Sequence, residues 1–477
     1  MNRIVSVLIV IILGCSSTTS LAQDPTARER ELEELVRNLA DRIDQLESRL
    51  GQLKGTKTAG NTEARVEQLE QSIQQIKNER PPDVNSEEWT KIKKWVNDGT
   101  TLRPHWKDGL QFTANDGSVK LKIGGRIQHD FAYFAEDGSV ERRLGENFDD
   151  GTEFRRARLY FSGTIYDDID FKVQYDFAGG DADFKDVYLG MRGVPYVGNV
   201  RIGQFKEPFS LDELTSSNYI TFMERSLVTT FAPSRNTGVM FYDTVNDKRM
   251  TWAAGVFRQT DDFGNGTGGR DYNATARLTA LPLYENDGKR LLHLGVAFTH
   301  QNYEGDSVRF RARPEAHLTP RLVDTGNFSA EYGDFILAEA AWISGPFSLQ
   351  GEYVHAFIEG RDQRIGDPNF WAASVQASYF LTGEHRPYKT SSGSFNRIKP
   401  LSNYDRNGGT GAWELAARLS YLNLNDDGVE GGRLKDLTLG LNWYLNPNVR
   451  TMWNYVFADP SHGGEVNAFM WRFQVAF

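Results

Sequence analysis

The sequence predicts an all-β protein, a 16-stranded antiparallel transmembrane β-barrel preceded by an N-terminal α-helical coiled-coil segment. Three observations support this fold class. The chain of 477 residues is rich in aromatic side chains, with 29 Phe, 19 Tyr and 10 Trp, which argues against disorder. Apolar and polar residues alternate with a period of two through much of residues 108–477. Beyond the leader, no run approaches 18 consecutive apolar residues, which excludes a helical membrane protein.

Residues 1–22 have the layout of a signal peptide. A positively charged start and an apolar run over residues 4–13 precede the small residues that a signal peptidase requires before its cut after Ala22. A lipoprotein cleavage at Cys15 is the alternative, although the leucine two positions before it fits that motif poorly. We therefore expect export from the cytoplasm. The only cysteine lies in this leader, so a disulfide scaffold is excluded.

Residues 23–80 are predicted to form a coiled coil that requires partner helices. Apolar residues recur three and four positions apart over three heptads, at Val36, Leu39, Ile43, Leu46, Leu50 and Leu53. Glycines interrupt this seam, and it resumes in another phase before Pro81 and Pro82 end it. A single amphipathic helix on a globular body is the alternative. Residues 81–107 read as a linker to the barrel domain, residues 108–477.

From about residue 118 the hydrophobic period changes from 3.5 to 2. Apolar and aromatic residues from Val119 to Tyr133 fall on one face, while charged and polar residues from Lys120 to Asp130 fall on the other, as in a strand that is apolar outside and polar inside. Further segments repeat the pattern, around residues 156–165, 169–177, 437–444 and 469–477. A soluble β-sandwich also alternates. Strands of about ten residues, tight turns between longer loops and a final aromatic residue favour the barrel.

A count of strands tests the barrel interpretation. Candidate strands start near residues 118, 153, 169, 183, 199, 236, 249, 272, 290, 306, 333, 347, 370, 411, 436, 449 and 466. We expect an even number, because both ends of the barrel should lie in the periplasm. The weakest candidate is the one near 306, which is arginine-rich and ends at Pro314. Without it, 16 strands remain.

This count assigns the connections to the two ends of the barrel. Tight turns fall on the periplasmic side, at residues 167–168, 345–346 and 446–448. The third outer loop is then 207–235 and the fifth is 301–332. Residues 382–410 form an unusually long periplasmic connection, and folding into the lumen is one way to accommodate it.

Several strings of residues, in order along residues 108–477, resemble one family. They are Glu153-Phe-Arg-Arg-Ala-Arg-Leu159, Gly203-Gln-Phe-Lys-Glu-Pro-Phe209, Leu214-Thr-Ser-Ser-Asn-Tyr-Ile-Thr-Phe-Met-Glu-Arg225, Arg313-Pro-Glu315, Gly345-Pro-Phe347, Leu381-Thr-Gly-Glu384 and Leu441-Asn-Trp-Tyr444. Together they resemble the phosphate-selective porin family, the O/P porins of the Gram-negative outer membrane. The resemblance implies a homotrimer of 16-stranded barrels, loops folded inward to narrow each pore, and a lumen ladder of arginines with a lysine-centred anion site.

The charged residues predicted on the inward faces of the strands are also of the type that anion binding requires. An anion that loses water in a pore needs donors, and arginine offers a planar fork while lysine offers a compact charge. The candidate channel-lining residues for anion binding are Arg126, Arg155, Arg156, Arg158, Lys172, Lys206, Arg235, Arg309, Arg311 and Arg313. Adjacent Arg155 and Arg156 cannot both face the lumen of a regular strand, so one is expected near a strand end or a bulge. Tyr219, Phe222 and Tyr242 are aromatic candidates for narrowing the pore or packing against its wall.

Net charge alone does not support anion preference. Residues 1–107 hold 16 basic and 16 acidic side chains, so residues 108–477 carry the whole net charge of -10. Anion preference must therefore come from local placement at a constriction, with surface acids on the outer loops accounting for the excess. The alternative for each candidate is an ordinary lumen charge paired with Asp or Glu.

Other kinds of site have little support. The glycines of residues 264–269 fit a dinucleotide pattern, but they lie in a predicted outer loop that no helix follows. The eight histidines form no pair at metal-ligand spacing, and no nucleophile or phosphate-loop motif occurs. A basic stripe for nucleic acid is also missing. We predict no catalytic residue, metal or cofactor, and we expect that the protein is not an enzyme.

Two functions remain from the sequence. The first is an outer-membrane porin, a water-filled, anion-preferring diffusion channel for phosphate or polyphosphate. The second is a structural barrel, tethered to the cell wall through a periplasmic coiled coil and only incidentally conducting. The expected partners are inorganic phosphate or other small anions, outer-membrane lipid, two further copies of the chain and, through the coiled coil, the cell wall.

Overall fold

A computed structural model of the chain describes residue 99 and residues 101–477, apart from 268–270, 304–306 and 362–364. The predicted signal peptide and coiled coil lie outside the described residues, as does most of the predicted linker. The chain divides into two compact units, and the larger one, residues 104–113 with 118–477, contains the barrel.

Sixteen antiparallel strands close into a barrel in the described part of the chain. They are β1 (Val119–Glu136), β2 (Gly151–Ile165), β3 (Ile169–Asp176), β4 (Asp183–Val194), β5 (Gly198–Lys206), β6 (Arg235–Val245), β7 (Met250–Arg258), β8 (Tyr272–Glu285), β9 (Arg290–Asn302), β10 (Phe328–Ser344), β11 (Phe347–Gly360), β12 (Asn369–Phe380), β13 (Ala412–Asp426), β14 (Val429–Asn446), β15 (Val449–Pro460) and β16 (Val466–Ala476). Each strand pairs with the next, and β16 pairs with β1 from Val466 opposite Glu136 to Ala476 opposite Arg126, which closes the sheet. The predicted antiparallel β-barrel and its 16 strands are confirmed, whereas the predicted coiled coil lies outside the described residues.

Short elements decorate the connections. They are the helices α1 (Gly138–Leu144) and α2 (Leu211–Leu214), the 3₁₀ turns Leu227–Thr230 and Asn286–Gly288, and the short strands Leu102–Trp106, Leu110–Ala114, Ser307–Val308, Arg311–Ala312, Val323–Asp324, Tyr388–Lys389 and Ser394–Phe395. The segment near 306 thus holds only two-residue strands, and its removal from the strand count was correct. None of the described helices is long and apolar enough to cross a membrane.

The two faces of the barrel wall follow the predicted alternation. On β14, Thr438 and Asn442 are buried on the inner face, whereas Leu439 is exposed on the outer face. On β16, Phe473 points outward while Arg472 is buried inside. Aromatic rings collect on the outer face near the strand ends; the rings of Trp413 and Trp443 stack with centroids 5.0 Å apart and those of Trp413 and Trp453 at 6.5 Å. Such girdles lie at the membrane interfaces of outer-membrane barrels.

Connection lengths orient the barrel. At the end that carries both chain termini of the barrel, six of the seven connections have two to four residues, including the predicted turns at 166–168, 345–346 and 447–448. Short turns mark the periplasmic end. The seventh connection, residues 381–411, is the long one that the sequence placed there. At the opposite end the third outer loop is 207–234 and the fifth is 303–327.

These three long segments fold into the lumen and fill one side of it. Met223, Val228 and Phe231 of the third outer loop belong to one buried cluster with Phe335 and Leu422 of the β10–β16 side of the wall. The fifth outer loop adds residues to the same cluster, Ala312, Ala316, Leu322 and Val323. Full burial of each large apolar side chain contributes about 1.5–3 kcal/mol to folding. The loops are therefore packed parts of the barrel interior, and they leave open the side of the lumen along β2–β8.

Buried arginines of the wall hold the backbone of the third outer loop. Arg450 donates to the carbonyl of Ile220 at 2.8 Å, and Arg418 donates to that of Glu224 at 3.0 Å. The Arg418 guanidinium also lies 4.4 Å from the centre of the Phe222 ring. Because a buried carbonyl without a donor is costly, these contacts fix the path of the loop across the lumen.

Candidate functional site

The open part of the lumen is a cavity of about 1200 Å³ between the wall of β2–β8, the third outer loop and the 381–411 connection. We call it the lumen cavity. Seven of the ten predicted residues line it: Arg126, Arg155, Arg156, Arg158, Lys172, Lys206 and Arg235. They come from strands and from one loop base that are far apart in sequence, and barrel closure brings them together.

The lining of the lumen cavity is strongly basic. Among the described residues, thirteen Lys and Arg side chains line it against six Asp and Glu side chains. This excess contrasts with the net charge of -10 for the whole chain. A low-dielectric wall focuses such local charge on the pathway, whereas charges on the outer surface are screened over roughly 10 Å of salt solution.

At the outer part of the cavity, Arg155 and Arg156 both face Glu224 of the third outer loop. Gln128 of β1 is opposite Arg156 and His129 is opposite Phe154, so Arg155 is the extra residue of a β-bulge. The bulge that the adjacent arginines required is therefore present. Arg155 binds the Glu224 carboxylate through two hydrogen bonds of 2.9 and 3.0 Å.

Glu224 is the centre of a buried cluster of arginines. Arg156 lies 4.0 Å and Arg472 2.9 Å from its carboxylate oxygens, and Arg472 also pairs with Asp130 at 2.6 Å. Although burial opposes ionisation, Arg155, Arg156 and Arg472 hold the pKa of the Glu224 carboxyl well below its usual range. The loop is thus tied to the wall by a carboxylate that stays ionised.

In the middle of the cavity the arginines differ in their partners. Arg158 donates to Asp176 at 2.6 Å. Arg126 donates to the Ser217 hydroxyl at 2.6 Å, but its Nε has no hydrogen-bond partner, and the described residues offer it no carboxylate. An unpaired buried guanidinium is the stronger candidate for an anion site, because a bound oxyanion would complete its hydrogen bonds.

Lys206 stands where β5 enters the third outer loop. Its ammonium lies 2.8 Å from Glu213 Oε1, and Arg225 Nε lies 3.1 Å from Glu213 Oε2. Although burial opposes ionisation, Arg225 and Lys206 hold the pKa of the Glu213 carboxyl at about 2. Two cations share one carboxylate here, so this position keeps a net positive charge.

The base of the third outer loop is held by Glu352 of β11. Its carboxylate accepts the Ser210 hydroxyl at 2.6 Å and the Asp212 backbone N–H at 2.7 Å. Ser210 has a φ of 67°, a conformation that residues with a side chain rarely adopt. The contacts with Glu352 maintain this turn and place Glu213 beside Lys206.

Asp186 of β4 bridges the remaining two predicted cations. Arg235 Nε lies 2.7 Å from Asp186 Oδ1, and Lys172 is hydrogen-bonded to Asp186 Oδ2. Again two cations share one carboxylate. Six of the seven predicted residues in the cavity therefore have a carboxylate partner, which agrees with the alternative of ordinary paired lumen charges. The cations nevertheless outnumber the carboxylates that they pair with.

The sequence pattern did not point to six further cations of the cavity, Lys185, Arg192, Arg201, Arg225, Arg277 and Lys389. Arg201 of β5 lies between Tyr188 and Tyr242, with its guanidinium 4.2 and 5.0 Å from their ring centres. The residues on each side of Arg201 in the chain are a valine and an isoleucine, which face outward. Since side chains alternate along a strand, these neighbours indicate that Arg201 faces inward. Lys389 comes from the 381–411 connection, and no local pattern could have placed it in the lumen.

Arg309, Arg311 and Arg313 do not join the other seven. They line a separate cavity of about 440 Å³ at the outer mouth, together with Arg143 of α1 and Arg321. Arg309 pairs with Asp324 at 2.7 Å. These arginines of the fifth outer loop face the entrance and not the lumen cavity.

The three aromatic candidates for narrowing the pore also lie in different places. Tyr219 and Tyr242 line the lumen cavity, whereas Phe222 is buried against Arg418. No group of three or more His, Cys, Asp or Glu side chains suited to a metal ion is found among the described residues.

The barrel domain is similar to known proteins. The family described as "Phosphate-selective porin O and P" matches residues 121–477. Porin O of Pseudomonas aeruginosa is 28% identical over 398 residues, covering 76% of this chain and 88% of that protein. An uncharacterized protein of Caulobacter vibrioides is 31% identical over 368 residues, covering 74% of this chain and 71% of that protein. Among solved structures, OmpT of Vibrio cholerae has a TM-score of 0.48 at 12% identity, covering 76% of this chain and 98% of that chain.

Proposed function

Because the chain belongs to the family of phosphate-selective porins O and P, we propose that its outer-membrane channel is an anion-preferring diffusion pore for phosphate or polyphosphate. Family and fold make the protein a porin of the outer membrane and a channel rather than an enzyme. The choice of anion is the part that we propose. The selectivity site is the basic lining of the lumen cavity, centred on Lys206.

One observation carries the proposal. Thirteen basic side chains face six acidic ones in the lumen cavity, and three of the thirteen, Arg126, Arg201 and Lys389, have no carboxylate partner among the described residues. Donors of this kind replace the water of a phosphate ion as it passes. Since most of the other cations share a carboxylate with another cation, each step holds the ion only moderately, which allows it to leave again.

The proposal extends to the assembly and to the N-terminal segment. Apolar and aromatic residues cover the outer face of the barrel, which suits contact with membrane lipid or with another barrel. We infer a homotrimer with the coiled coil of residues 23–80 in the periplasm, where it contacts the cell wall. Chemical cross-linking of the protein in native membranes, with and without residues 23–80, tests this part.

Single-channel recording in a planar bilayer tests the anion preference. In a salt gradient we expect a reversal potential of anion selectivity, and phosphate added to a chloride background should reduce the chloride current. Lys206→Glu should abolish or reverse the selectivity, and Lys206→Gln, which does not place two acids side by side, should weaken it. Lys399→Gln is the matched control, because Lys399 is exposed and lies outside the lumen cavity.

The outcomes separate the functions. Selectivity that survives Lys206→Gln and Lys206→Glu would contradict a selectivity site at this position. A weakly selective channel without phosphate block would be a general porin. A correctly folded barrel with no conductance would instead favour the structural alternative, a barrel tethered to the cell wall.

A further inference from the structure

Two basic side chains stand on the outer face of the barrel wall, near its outer end. Arg433 and Lys435 of β14 are exposed, whereas their neighbours Leu434 and Asp436 are buried on the inner face. Because side chains alternate along a strand, both cations point away from the lumen, on the same face as Leu439. Neither lines the lumen cavity or the cavity at the outer mouth.

The apolar belt of β14 fixes the depth of these two cations in the membrane. Three outward leucines follow Lys435 along the strand, and Trp443 of the periplasmic aromatic girdle comes next. Eight residues of strand rise about 27 Å, which is about 21 Å along the membrane normal at a tilt of roughly 40°. The apolar band of an outer-membrane barrel is about 25 Å tall. Lys435 therefore lies at the outer edge of this band, and Arg433 lies just beyond it, at the level of the headgroups of the outer leaflet.

Both cations keep their charge free. Neither forms an ion pair with any residue that the structure describes, although Asp459 of β15 is directly opposite Lys435 in the register. The backbone of Arg433 is held by Ser461, since its N–H donates to the Ser461 hydroxyl and its carbonyl accepts the Ser461 N–H, each at 2.8 Å. The strand is thus fixed while the guanidinium is available. Basic side chains at this depth attract the phosphates of anionic lipids.

A row of aromatic rings continues from these cations across the neighbouring strands. Tyr421 of β13 is opposite Lys435, and its ring stacks on that of Trp371 of β12 with centroids 4.9 Å apart and planes 25° apart. The exposed ring of Tyr353 of β11 extends the row, 6.1 Å from the Trp371 ring. The three rings form an apolar surface at one depth on the outer wall. We call these rings, together with Arg433 and Lys435, the outer-rim patch.

Polar groups on the nearby outer wall of β9–β11 are different. His300 of β9 lies 2.8 Å from the carboxylate of Asp334 of β10. The Tyr332 hydroxyl donates to Glu359 of β11 at 3.4 Å. These groups satisfy one another and include two acids, which repel a phosphate. Charge complementarity to an anionic headgroup therefore favours the β14 side of the wall over the β9–β11 side.

We propose that the outer-rim patch binds a phosphorylated glycolipid of the outer leaflet. The phosphate lies between Arg433 and Lys435, which supply charge-assisted hydrogen bonds. A sugar ring of the headgroup packs on the faces of Trp371 and Tyr421, because a rigid ring matches a flat apolar surface better than a flexible glycerol does. The acyl chains follow the leucines of β14 into the apolar band.

Native mass spectrometry of the full chain with bisphosphorylated lipid A tests this site. Lipid A is titrated against the protein in detergent, and the affinity of the first bound molecule is measured. We expect Arg433→Gln combined with Lys435→Gln to weaken this affinity about tenfold or more, because the phosphate loses both of its cations. Arg290→Gln is the matched control, since it removes an exposed cation at the periplasmic end that is already paired with Glu285, and it should bind as the wild type does.

Two further variants test the sign of the charge effect and the role of the rings. Asp459→Asn removes the acid opposite Lys435, so it should tighten the binding of lipid A. Trp371→Leu keeps an apolar side chain toward the lipid but removes the stacked ring. It should weaken the binding of lipid A and leave that of phosphatidylglycerol, which has a phosphate and no sugar, unchanged.

The outcomes separate the lipid site from other uses of this face. Equal affinity of the wild type and the double variant of Arg433 and Lys435 for lipid A would overturn the site. Phosphatidylglycerol that binds as tightly as lipid A, with no effect of Trp371→Leu, would overturn the assignment to a glycolipid. A double variant that loses its oligomeric state but not its lipid would mark a contact between subunits instead. Since the patch lies outside the lumen, its test is independent of the proposed anion preference.

Discussion

Asp186 and Arg235 form an ion pair inside the lumen cavity, with 2.7 Å between Oδ1 and Nε. The other oxygen of the same carboxylate binds Lys172. One acid therefore neutralises part of two cations, on β3 and β6, that the sequence separates by more than sixty residues. In the proposed anion channel, carboxylates of this kind limit how strongly the lumen attracts an anion.

Asp186→Asn should increase the anion preference. The substitution keeps the shape and hydrogen-bonding ability of the side chain but frees the charges of Lys172 and Arg235. We expect a larger anion-to-cation permeability ratio from the reversal potential and a residence of phosphate that is longer by about tenfold or more, because one charge-assisted contact is worth about 1.5–3 kcal/mol. Asp405→Asn, at an exposed position of the 381–411 connection outside the cavity, is the control. Unchanged selectivity would mean that ions do not sense these cations.

Glu224→Gln should destabilise the folded barrel. It leaves Arg155 and Arg156 without their carboxylate in a buried place, and removal of one member of a buried ion pair costs about 3–5 kcal/mol. The free energy of unfolding in urea, measured on protein refolded in detergent, checks this. Arg290→Gln removes an exposed pair with Glu285 and should cost about 1 kcal/mol or less. Equal losses in the two variants would contradict the role of the Glu224 cluster.

The Glu224 carboxylate should also make the stability of the folded protein depend on pH. The arginines lower the pKa of Glu224 in the folded protein, so its stabilising contribution is fully present above the unfolded pKa of about 4.3. That contribution is lost as the pH falls below this value toward the folded pKa. We expect the difference in unfolding free energy between wild type and Glu224→Gln to be constant from pH 6 to 8 and to shrink on acidification below about pH 4. A difference in unfolding free energy that grows on acidification would contradict this role of Glu224.

Ser210→Gly should be tolerated better than Ser210→Ala. Both variants lose the hydrogen bond from the Ser210 hydroxyl to Glu352, but only glycine relieves the backbone at a φ of 67°. Strain of this kind is worth about 1–3 kcal/mol. In thermal unfolding followed by circular dichroism, Ser210→Ala should therefore have a lower midpoint temperature than Ser210→Gly and the wild type. An alanine variant as stable as the glycine variant would show that the turn is not strained.

Arg311→Glu should act on entry from outside alone. Arg311 lines the outer cavity with four other arginines and lies outside the lumen cavity. We expect a lower rate of phosphate block from the outer side in dilute salt, with recovery toward the wild-type rate near 1 M salt, where charges are screened beyond about 3 Å. Block from the periplasmic side should be unchanged. A changed reversal potential at high salt would instead place Arg311 on the narrow part of the pathway.

Much of the fold was predictable because the wall of a barrel is a local pattern. Side chains on a strand point alternately to the two faces, so the alternation around Leu439 and Arg472 revealed both the strands and their inward faces. The adjacent Arg155 and Arg156 even predicted a bulge, since two neighbours on a regular strand cannot share a face. These inferences need only neighbours in the chain.

The carboxylate partners of the lumen cations could not be predicted from local sequence patterns. Asp186 and Glu224 reach their arginines only after the sheet has closed and the third outer loop has crossed the lumen. The separate location of Arg311 at the outer mouth likewise depends on how the fifth outer loop packs. Ion pairs between distant segments leave no periodic trace in the sequence.

The sequence by itself determined the number of strands, the faces of the wall and the positions of the long connections, because each rests on composition or on a short repeat. The export signal stays a prediction. The tertiary structure alone decided which cations keep a free charge. Lys389 reaches the lumen only because Arg277 and His293 anchor its hairpin, and Arg201 lacks a carboxylate because two tyrosines surround it. Charge in a pore is a property of distances between segments, and closure of the barrel sets those distances.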